Sequence, residues 1–240
     1  MCTSFNSTQI RTFEKYQRLF KKLFIDKFIN NFYNQVEYFP NKKMPEHIFE
    51  EADHYTYYDN YYSDDYIEAK INNKYDIDMA EIHTTKIETH TDKDGNITRE
   101  EETIFHGLFS KIVIDKSINS KLEILPNRSL LLKNKLEMDS SEFEKNFDVS
   151  ATNKIIAMQL LTADIMEDLI EFKNKTNMIY DVIINNNIIY LYFHCGPMFE
   201  TNLSKHEIVN KQSLQRYFYM LNFTYNLSKK LIKLINETEI

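Results

Sequence analysis

The chain has 240 residues, of which 42% are hydrophobic and 27% charged, an ordinary composition for a globular protein with a hydrophobic core. It has only 3 glycines, where average usage of about 7% would give roughly 17, so it contains neither a G-x-G-x-x-G loop nor a Walker-type phosphate loop. Its formal net charge of −7 argues against general nucleic-acid binding, because neutralising phosphates requires a basic surface.

The cysteines and the N-terminus predict a cytoplasmic protein without a membrane span. Cys2 and Cys195 lie too far apart for a metal motif or a disulfide framework, which is typical of a reducing compartment. The first residues lack an apolar signal core, and Cys2 stands where N-myristoylation requires glycine. No window approaches the roughly 18 apolar residues that span a bilayer. We also predict no cofactor.

Residues 8–34 predict an amphipathic helix within an N-terminal helical segment, 1–53. Basic residues separate apolar positions that recur at helical spacing: Ile10, Phe13, Tyr16, Leu19 or Phe20, Leu23 or Phe24, and Phe28. The interpretation we favour is a helix that covers a core. The alternative is peripheral contact with a membrane surface, since cations beside a Phe-rich face suit one. Pro45 can begin a short helix that runs through Ala52.

Residues 54–66, HYTYYDNYYSDDY, have the most unusual composition in the chain. Tyrosine offers contact area at a low entropy cost, so this stretch is a candidate interaction surface. Half-buried rings that cap a sheet, with their hydroxyls in water, are the alternative. The candidate surface residues are Tyr55, Tyr57, Tyr58, Tyr61 and Tyr62.

From Tyr66 the hydrophobic period changes to two, which predicts a β-rich segment over 54–138. Strands are expected on both sides of Asn72–Asn73, and a long hairpin is expected to join Glu81–Thr91 to Ile97–Phe109 around Asp94–Gly95. The run from Ile104 to Asp115 predicts a central strand, followed by another at Leu122–Pro126. The residues expected in the main core are Phe105, Leu108 or Phe109, Ile112 and Ile114.

One arrangement of polar residues suggests a metal site. If Asp94 and Gly95 are the central turn residues, His83 falls opposite His106, and Asp76 and Asp78 share one strand face. These four residues support an alternative function, a metal-dependent hydrolase or nuclease. No H-E-x-x-H, G-x-S-x-G or C-x-x-C motif occurs, so the favoured prediction has no catalytic and no metal-binding residue.

The last segment, 139–240, predicts three helices and three strands. Asp139 or Ser140 can cap a helix through Asn146, and Thr162 can cap one to about Lys173. Phe147–Ser150 predicts a short strand, and Asn185–Asn187 predicts a hairpin between Met178–Ile184 and Ile188–His194. A capping box at Ser204–Glu207, with Leu203 and Ile208 as its hydrophobic staple, predicts a long final helix from about Lys205 to Glu237.

The order of these segments resembles a known family. YIEAKINNK, TIFHGLF, EFEKNFDVS, LLTADIMEDL and IIYLYF follow one another as in the uncharacterised bacterial family known as domain of unknown function 3137. The F-x-G-L-F of Phe105–Phe109 and the E-F-E-K-x-F of Glu142–Phe147 are its most specific parts, and neither has catalytic character. Ser140–Ser141 stand where the family usually has Asp-Pro, and Ala163 stands where it usually has the proline of Leu-Thr-Pro. The resemblance brings no established activity.

We therefore predict an α+β fold: a mostly antiparallel sheet with an N-terminal amphipathic helix, a mid-chain helix and a long C-terminal helix. Segments 54–138 and 139–240 are expected to form one continuous domain. A roll like that of PH domains, closed by the last helix, is the alternative architecture. The predicted function is a non-catalytic cytoplasmic binding or scaffold module that acts on a protein partner or associates with itself.

Overall fold

The computed structural model describes residues 26–91, 97–127, 132–198 and 211–238, together with the single residues 15, 19, 21 and 93. Every strand pairing in it is antiparallel, and nine strands form one sheet in the order β1-β2-β3-β4-β9-β8-β5-β7-β6. The strands are β1 Asn34–Phe39, β2 Asn60–Ile71, β3 Tyr75–Thr91, β4 Ile97–Val113, β5 Lys121–Pro126, β6 Lys135–Leu136, β7 Phe147–Ala151, β8 Ile179–Asn185 and β9 Ile188–His194.

The described helices are α1 Asp26–Ile29, α2 Glu46–Glu50, α3 Ser141–Asn146, α4 Lys154–Leu160, α5 Ala163–Thr176 and α6 Lys211–Glu237. Two of the predicted N-caps are confirmed. The Ser140 hydroxyl accepts a hydrogen bond from the Phe143 N–H, and the Thr162 hydroxyl accepts one from the Ile165 N–H. These bonds satisfy backbone donors that the first turn leaves without a partner. No helix in the described ranges is long and apolar enough to cross a membrane.

The two faces of the sheet are covered by different layers, because side chains alternate along each strand. The helical face carries Leu191 and Phe193 of β9, which join the large core beneath α5 and α6. The aromatic face carries Tyr190 and Tyr192, which join a smaller core beneath α2 and the loop after it. Within that smaller core the Phe49 ring lies 5.6 Å from the Tyr192 ring, centroid to centroid. The strands in the middle of the sheet are therefore buried on both sides.

The predicted central strand is confirmed as the interior strand β4. Phe105, Leu108, Phe109, Ile112 and Ile114 are all buried. Phe105 and Phe109 belong to the smaller core, while Leu108, Ile112 and Ile114 belong to the larger one.

Gly107, in the middle of the F-x-G-L-F sequence, stands where β4 meets β9. Its φ is +155°, and a Cβ built on it would lie 1.9 Å from the backbone oxygen of Phe193. That oxygen belongs to the backbone of the neighbouring strand, so it cannot turn aside as the end of a flexible side chain could. This close approach of two backbones explains why one of the chain's few glycines lies here.

The hairpin of β3 and β4 has the predicted pairing at its inner end, with His83 opposite His106. Nearer the tip the register differs by one residue, since Thr85 lies opposite Thr103 and Thr91 opposite Ile97. A β-bulge at Ile104 absorbs the difference between the two registers. The tip residues 94–96, which include the predicted turn, lie outside the described residues.

Some elements differ from the expectation. Strand β2 begins at Asn60 rather than Tyr66, so that Tyr61 and Tyr62 lie on a strand. The short helix after Pro45 covers only Glu46–Glu50. Strand β1 and helix α4 were not anticipated. Strands β7, β8 and β9 of the third segment belong to the same sheet as β2–β5.

Of the predicted N-terminal helix, the structure describes residues 26–34 and the single residues 15, 19 and 21, and the end at 26–34 lies against the last helix. The Phe32 ring lies 5.1 Å from the Phe218 ring, and the Tyr33 hydroxyl donates a 3.0 Å hydrogen bond to the Leu221 carbonyl. Helix α6 is about 40 Å long at 1.5 Å per residue. Its predicted capping box and staple, at 203–208, lie outside the described residues.

Candidate functional site

The five candidate tyrosines lie at one end of the sheet, but they do not form a single patch. Tyr55, Tyr58 and Tyr61 are partly buried and pack against the smaller core of the aromatic face. Tyr57 and Tyr62 are exposed, with 73% and 50% of their surface accessible. Tyr55, Tyr58 and Tyr61 are therefore half-buried rings that cap the sheet, as in the alternative interpretation. Of the five, only Tyr57 and Tyr62 offer an open surface.

Tyr57 and Tyr62 flank the root of a two-stranded projection. We call this projection, residues 86–91 and 97–102, the arm. Lys86 lies with its Nζ 4.3 Å from the centre of the Tyr57 ring, on the aromatic-face side. Tyr62 is paired with His83 across β2 and β3, and the two rings lie together on the helical-face side of the sheet. The two exposed tyrosines are therefore on opposite sides of the arm's root.

The arm carries no core of its own. Along β4 every residue from Ile97 to Thr103 is exposed. Ile97 and Ile87 are 66% and 46% exposed, high values for isoleucine. At the root the Asp59 carboxylate accepts a 2.6 Å hydrogen bond from the Ile87 N–H, which ties the arm to the loop that bears Tyr57.

The loop that bears Tyr57 is held down by a buried carboxylate, Asp181 of β8. Three side chains converge on its Oδ2 atom: the Tyr55 hydroxyl donates to it at 2.6 Å, and the His194 and His54 Nε2 atoms lie 3.2 and 3.4 Å away. The Tyr55 oxygen is also 2.9 Å from the His194 Nε2. Asp181 is only 2% exposed, so its charge depends on these partners.

The electrostatics of this group favour the charged carboxylate. Burial by itself raises the pKa of Asp181, but hydrogen bonds and electrostatic interactions with His194 and His54 outweigh burial and bring the pKa to about 2. Burial, followed by the charge of Asp181, raises the pKa of the Tyr55 hydroxyl far above its usual value. Tyr55 therefore remains a hydrogen-bond donor. The arrangement fastens the loop to the sheet.

A second titratable group lies on the helical face, where β2 has a bulge. Asp64, Asp65 and Glu81 bring carboxylate oxygens within 4.8 Å of one another. Lys21 Nζ lies 2.6 Å from the Asp65 Oδ2, and the Tyr38 hydroxyl donates to the Oδ1. Lys21 is itself buried, so it serves as the cation of this cluster.

Two of these carboxyl groups, those of Asp65 and Glu81, have raised pKa values. Burial raises the pKa of Asp65 to about 6 despite the opposing charge of Lys21. Burial raises the pKa of Glu81 to about 8, with the charges of Asp64 and Asp65 adding to it and a hydrogen bond from the Met198 N–H opposing it. The cluster is therefore a place where negative charge is costly at neutral pH.

The four residues of the hydrolase alternative are divided between the two faces. His83 and His106 stack with ring centroids 4.1 Å apart, and the His106 Nε2 lies 3.3 Å from a Glu81 oxygen on the helical face. Asp78 points to the aromatic face, where it accepts a 2.8 Å hydrogen bond from Tyr66. Asp76 shares that face with Asp78 and pairs with Lys70.

Even-numbered and odd-numbered residues of the regular strand β3 point to opposite sides, so the predicted grouping of two aspartates with two histidines is wrong. Burial, followed by the neighbouring charge of His83, also lowers the pKa of His106. His106 is therefore protonated less readily than an ordinary histidine.

Sequence reasoning missed the Asp181 group and the Asp65 group. Their members come from distant parts of the chain: Asp181 and His54 are 127 residues apart, and Lys21 and Asp65 are 44 apart. The one available signal was the single Asp in the otherwise apolar strand Ile179–Asn185, since a buried carboxylate requires partners.

The comparisons with known proteins identify a family. A family model described as "Protein of unknown function (DUF3137)" matches residues 103–233, more than half of the chain. No curated protein matches. Among solved structures, that of the mycobacterial trehalose monomycolate transport factor A aligns at 10% identity over 62% of this chain and 75% of that chain, with a TM-score of 0.29. At that score the similarity carries no argument.

Proposed function

The chain belongs to the DUF3137 family of proteins of unknown function, and from that premise we propose that it is a non-catalytic binding module that docks a protein partner at the root of the arm. The observation that carries the proposal is the exposure of Tyr57 and Tyr62 on the two sides of this root. Exposed tyrosines are common anchors of binding energy at protein interfaces.

The roles of the polar clusters support a binding function over a catalytic one. Asp181 and its partners hold a loop, and Lys21 offsets the charge at Asp65. Both clusters fasten one part of the chain to another. A partner that contacts both tyrosines must extend around the edge of the sheet at the start of β2, from one face to the other. A protein is large enough to do this, whereas a small ligand is not.

We also propose a domain organisation and a cellular compartment for the chain. Segments 54–138 and 139–240 act as one continuous domain, because both contribute strands to a single sheet. The scarcity of cysteine supports a reducing compartment such as the bacterial cytoplasm.

A selection from a random 12-residue peptide library, displayed on phage, tests the proposal. We expect selected peptides to bind the wild-type protein saturably and to lose at least about tenfold in affinity on the double variant Tyr57→Ser, Tyr62→Ser, as for typical interface anchors. The matched control is Ile155→Ser, which removes another exposed apolar side chain, 71% accessible, from helix α4.

Peptides that bind the double tyrosine variant as tightly as the wild type would refute the proposed surface. Equal losses on the tyrosine variant and on Ile155→Ser would also refute it, because they would indicate general adhesion to apolar surface.

A further inference from the structure

One edge of the arm has no neighbouring strand among the described residues. β3 pairs with β4 along its whole length, but β9 pairs with it only from Leu108 to Val113. Among the residues that the structure describes, one backbone donor meets the other edge of β4 between Ile97 and His106: the Gly196 N–H, 3.1 Å from the His106 carbonyl oxygen. This edge is about 30 Å long at roughly 3.3 Å per residue.

An exposed strand edge of this length is a template for a further strand, since its N–H and C=O groups can continue the hydrogen-bond ladder. The opposite edge of the arm, formed by β3, offers a shorter stretch of unpaired backbone. On that side β2 already pairs with β3 up to Thr85, which leaves only Lys86–Thr91.

The charges along the β4 edge indicate the chemistry of the added strand. Glu100 and Glu102 point to the aromatic-face side, are exposed, and make no ion pair with any residue in the part of the chain that the structure describes. Ile97 is exposed on the opposite side. A complementary strand therefore alternates basic residues, beside the glutamates, with apolar residues, beside Ile97.

A second copy of the chain fits this edge poorly. Two identical antiparallel strands related by a two-fold axis place one residue opposite itself. If the whole edge from Ile97 to His106 is to overlap with its copy, the two-fold axis must pass near the middle of the edge. Glu101 or Glu102 then faces the same residue of the other copy. Like charges directly opposite one another destabilise the pairing. Edge charges are a common means of preventing self-association of this kind.

We infer that the β4 edge from Ile97 to His106 binds an extended segment of a partner protein by β-strand addition, and that this segment alternates Lys or Arg with apolar residues. The inference rests on the proposed binding function and names the chemistry and the geometry of the partner. Backbone hydrogen bonds supply the docking, and Glu100 and Glu102 select the basic sequence.

The test uses the full chain and a fluorescent ten-residue peptide that alternates lysine and valine. Fluorescence anisotropy measures its affinity, and hydrogen–deuterium exchange locates it. We expect saturable binding, with slowed exchange at the backbone amides of residues 97–106. The same peptide with alternate amides N-methylated keeps its charge but loses ladder donors, and we expect it not to bind detectably.

Two double variants separate the selected edge from general charge attraction. Glu100→Lys with Glu102→Lys is expected to weaken binding of the lysine–valine peptide about tenfold or more, because two attractions become repulsions. Glu167→Lys with Glu171→Lys changes the net charge equally on two exposed residues of helix α5, and is expected to leave the affinity within about twofold.

Three results would overturn the inference: no binding of the lysine–valine peptide, equal binding of its N-methylated form, or equal weakening by the two double variants. Protection of residues 97–106 that increases with protein concentration, without peptide, would also overturn it and assign the edge to a second copy. The wider proposal is judged separately, because library peptides that depend on Tyr57 and Tyr62 would sustain it even if strand addition fails.

Discussion

Replacing Asp181 by asparagine tests whether its network holds the loop of His54 to Tyr57. The pKa of Asp181 falls from an ordinary 3.8 to about 2 in the folded chain. A difference near two pH units corresponds to about 2 kcal/mol of folding stability at neutral pH. Asp181→Asn keeps the shape but removes the charge, so we expect it to lose an amount of this order.

The effect has a definite pH dependence. Because the folded pKa lies below the unfolded one, the stabilisation by Asp181 is complete above about pH 4 and declines as the pH falls towards 2. Urea denaturation at several pH values measures it. The difference between wild type and Asp181→Asn should be about 2 kcal/mol at pH 7 and should shrink markedly by pH 2.5.

The control for this experiment is Asp76→Asn, whose carboxylate is two-thirds exposed and pairs with Lys70 at the surface. Exposed pairs contribute only about 0 to 1 kcal/mol. Hydrogen–deuterium exchange should also show faster exchange at residues 53–58 in Asp181→Asn. Equal stability of wild type and variant at pH 7, or a difference that does not change down to pH 2.5, would refute the assigned role.

Three further predictions concern the core and the acidic cluster. Phe105→Ala and Phe109→Ala should each cost about 3 to 5 kcal/mol in urea denaturation, because both rings are fully buried, and wild-type melting of both would contradict the central-strand assignment. Gly107→Ala should destabilise the fold at least as strongly as a typical core truncation, because its Cβ would overlap the Phe193 carbonyl oxygen, and an unchanged melting temperature would disprove that close approach. Glu81→Gln should raise the melting temperature at pH 8.5 but not at pH 5: the folded pKa of Glu81 is raised to about 8, so its charging costs stability as the pH rises, and equal shifts at both pH values would contradict this.

The features that the sequence predicted most accurately are those determined by interactions between residues close together in the chain. The caps at Ser140 and Thr162 follow from hydrogen bonds that span three residues, and the turn at Asn72–Asn73 follows from two residues with positive φ, a conformation that asparagine tolerates. The pairing of His83 with His106 was also correct, although the assumed register holds only inside the bulge at Ile104. The hydrophobic period does not reveal the bulge, because the residues of β4 beyond it, Ile97 to Thr103, are all exposed and carry no burial pattern that would set the register.

The parts that were missed depend on long-range contacts. β1 is a short edge strand whose pairing with β2 joins residues about 30 positions apart, and its alternation of polar and apolar residues is weak. The five tyrosines were predicted to form one surface because a tyrosine-rich composition does not indicate which individual rings are exposed and which are buried. The fold separates Tyr55, which donates to Asp181, from Tyr57, which faces solvent two residues later.

The contrast between the two halves of the β3–β4 hairpin supports a binding role for the arm. The inner half is mostly buried on both faces, whereas in the outer half every residue of β4 from Ile97 to Thr103, and most residues of β3 from Lys86 to Thr91, are exposed. An isolated two-stranded ribbon is only marginally stable in water. The arm therefore depends on contacts at its root, where Asp59 accepts from the Ile87 N–H and Asn60 donates to Glu101. Adding a third strand along β4 would convert this ribbon into a three-stranded sheet, so partner binding and ordering of the arm should reinforce each other.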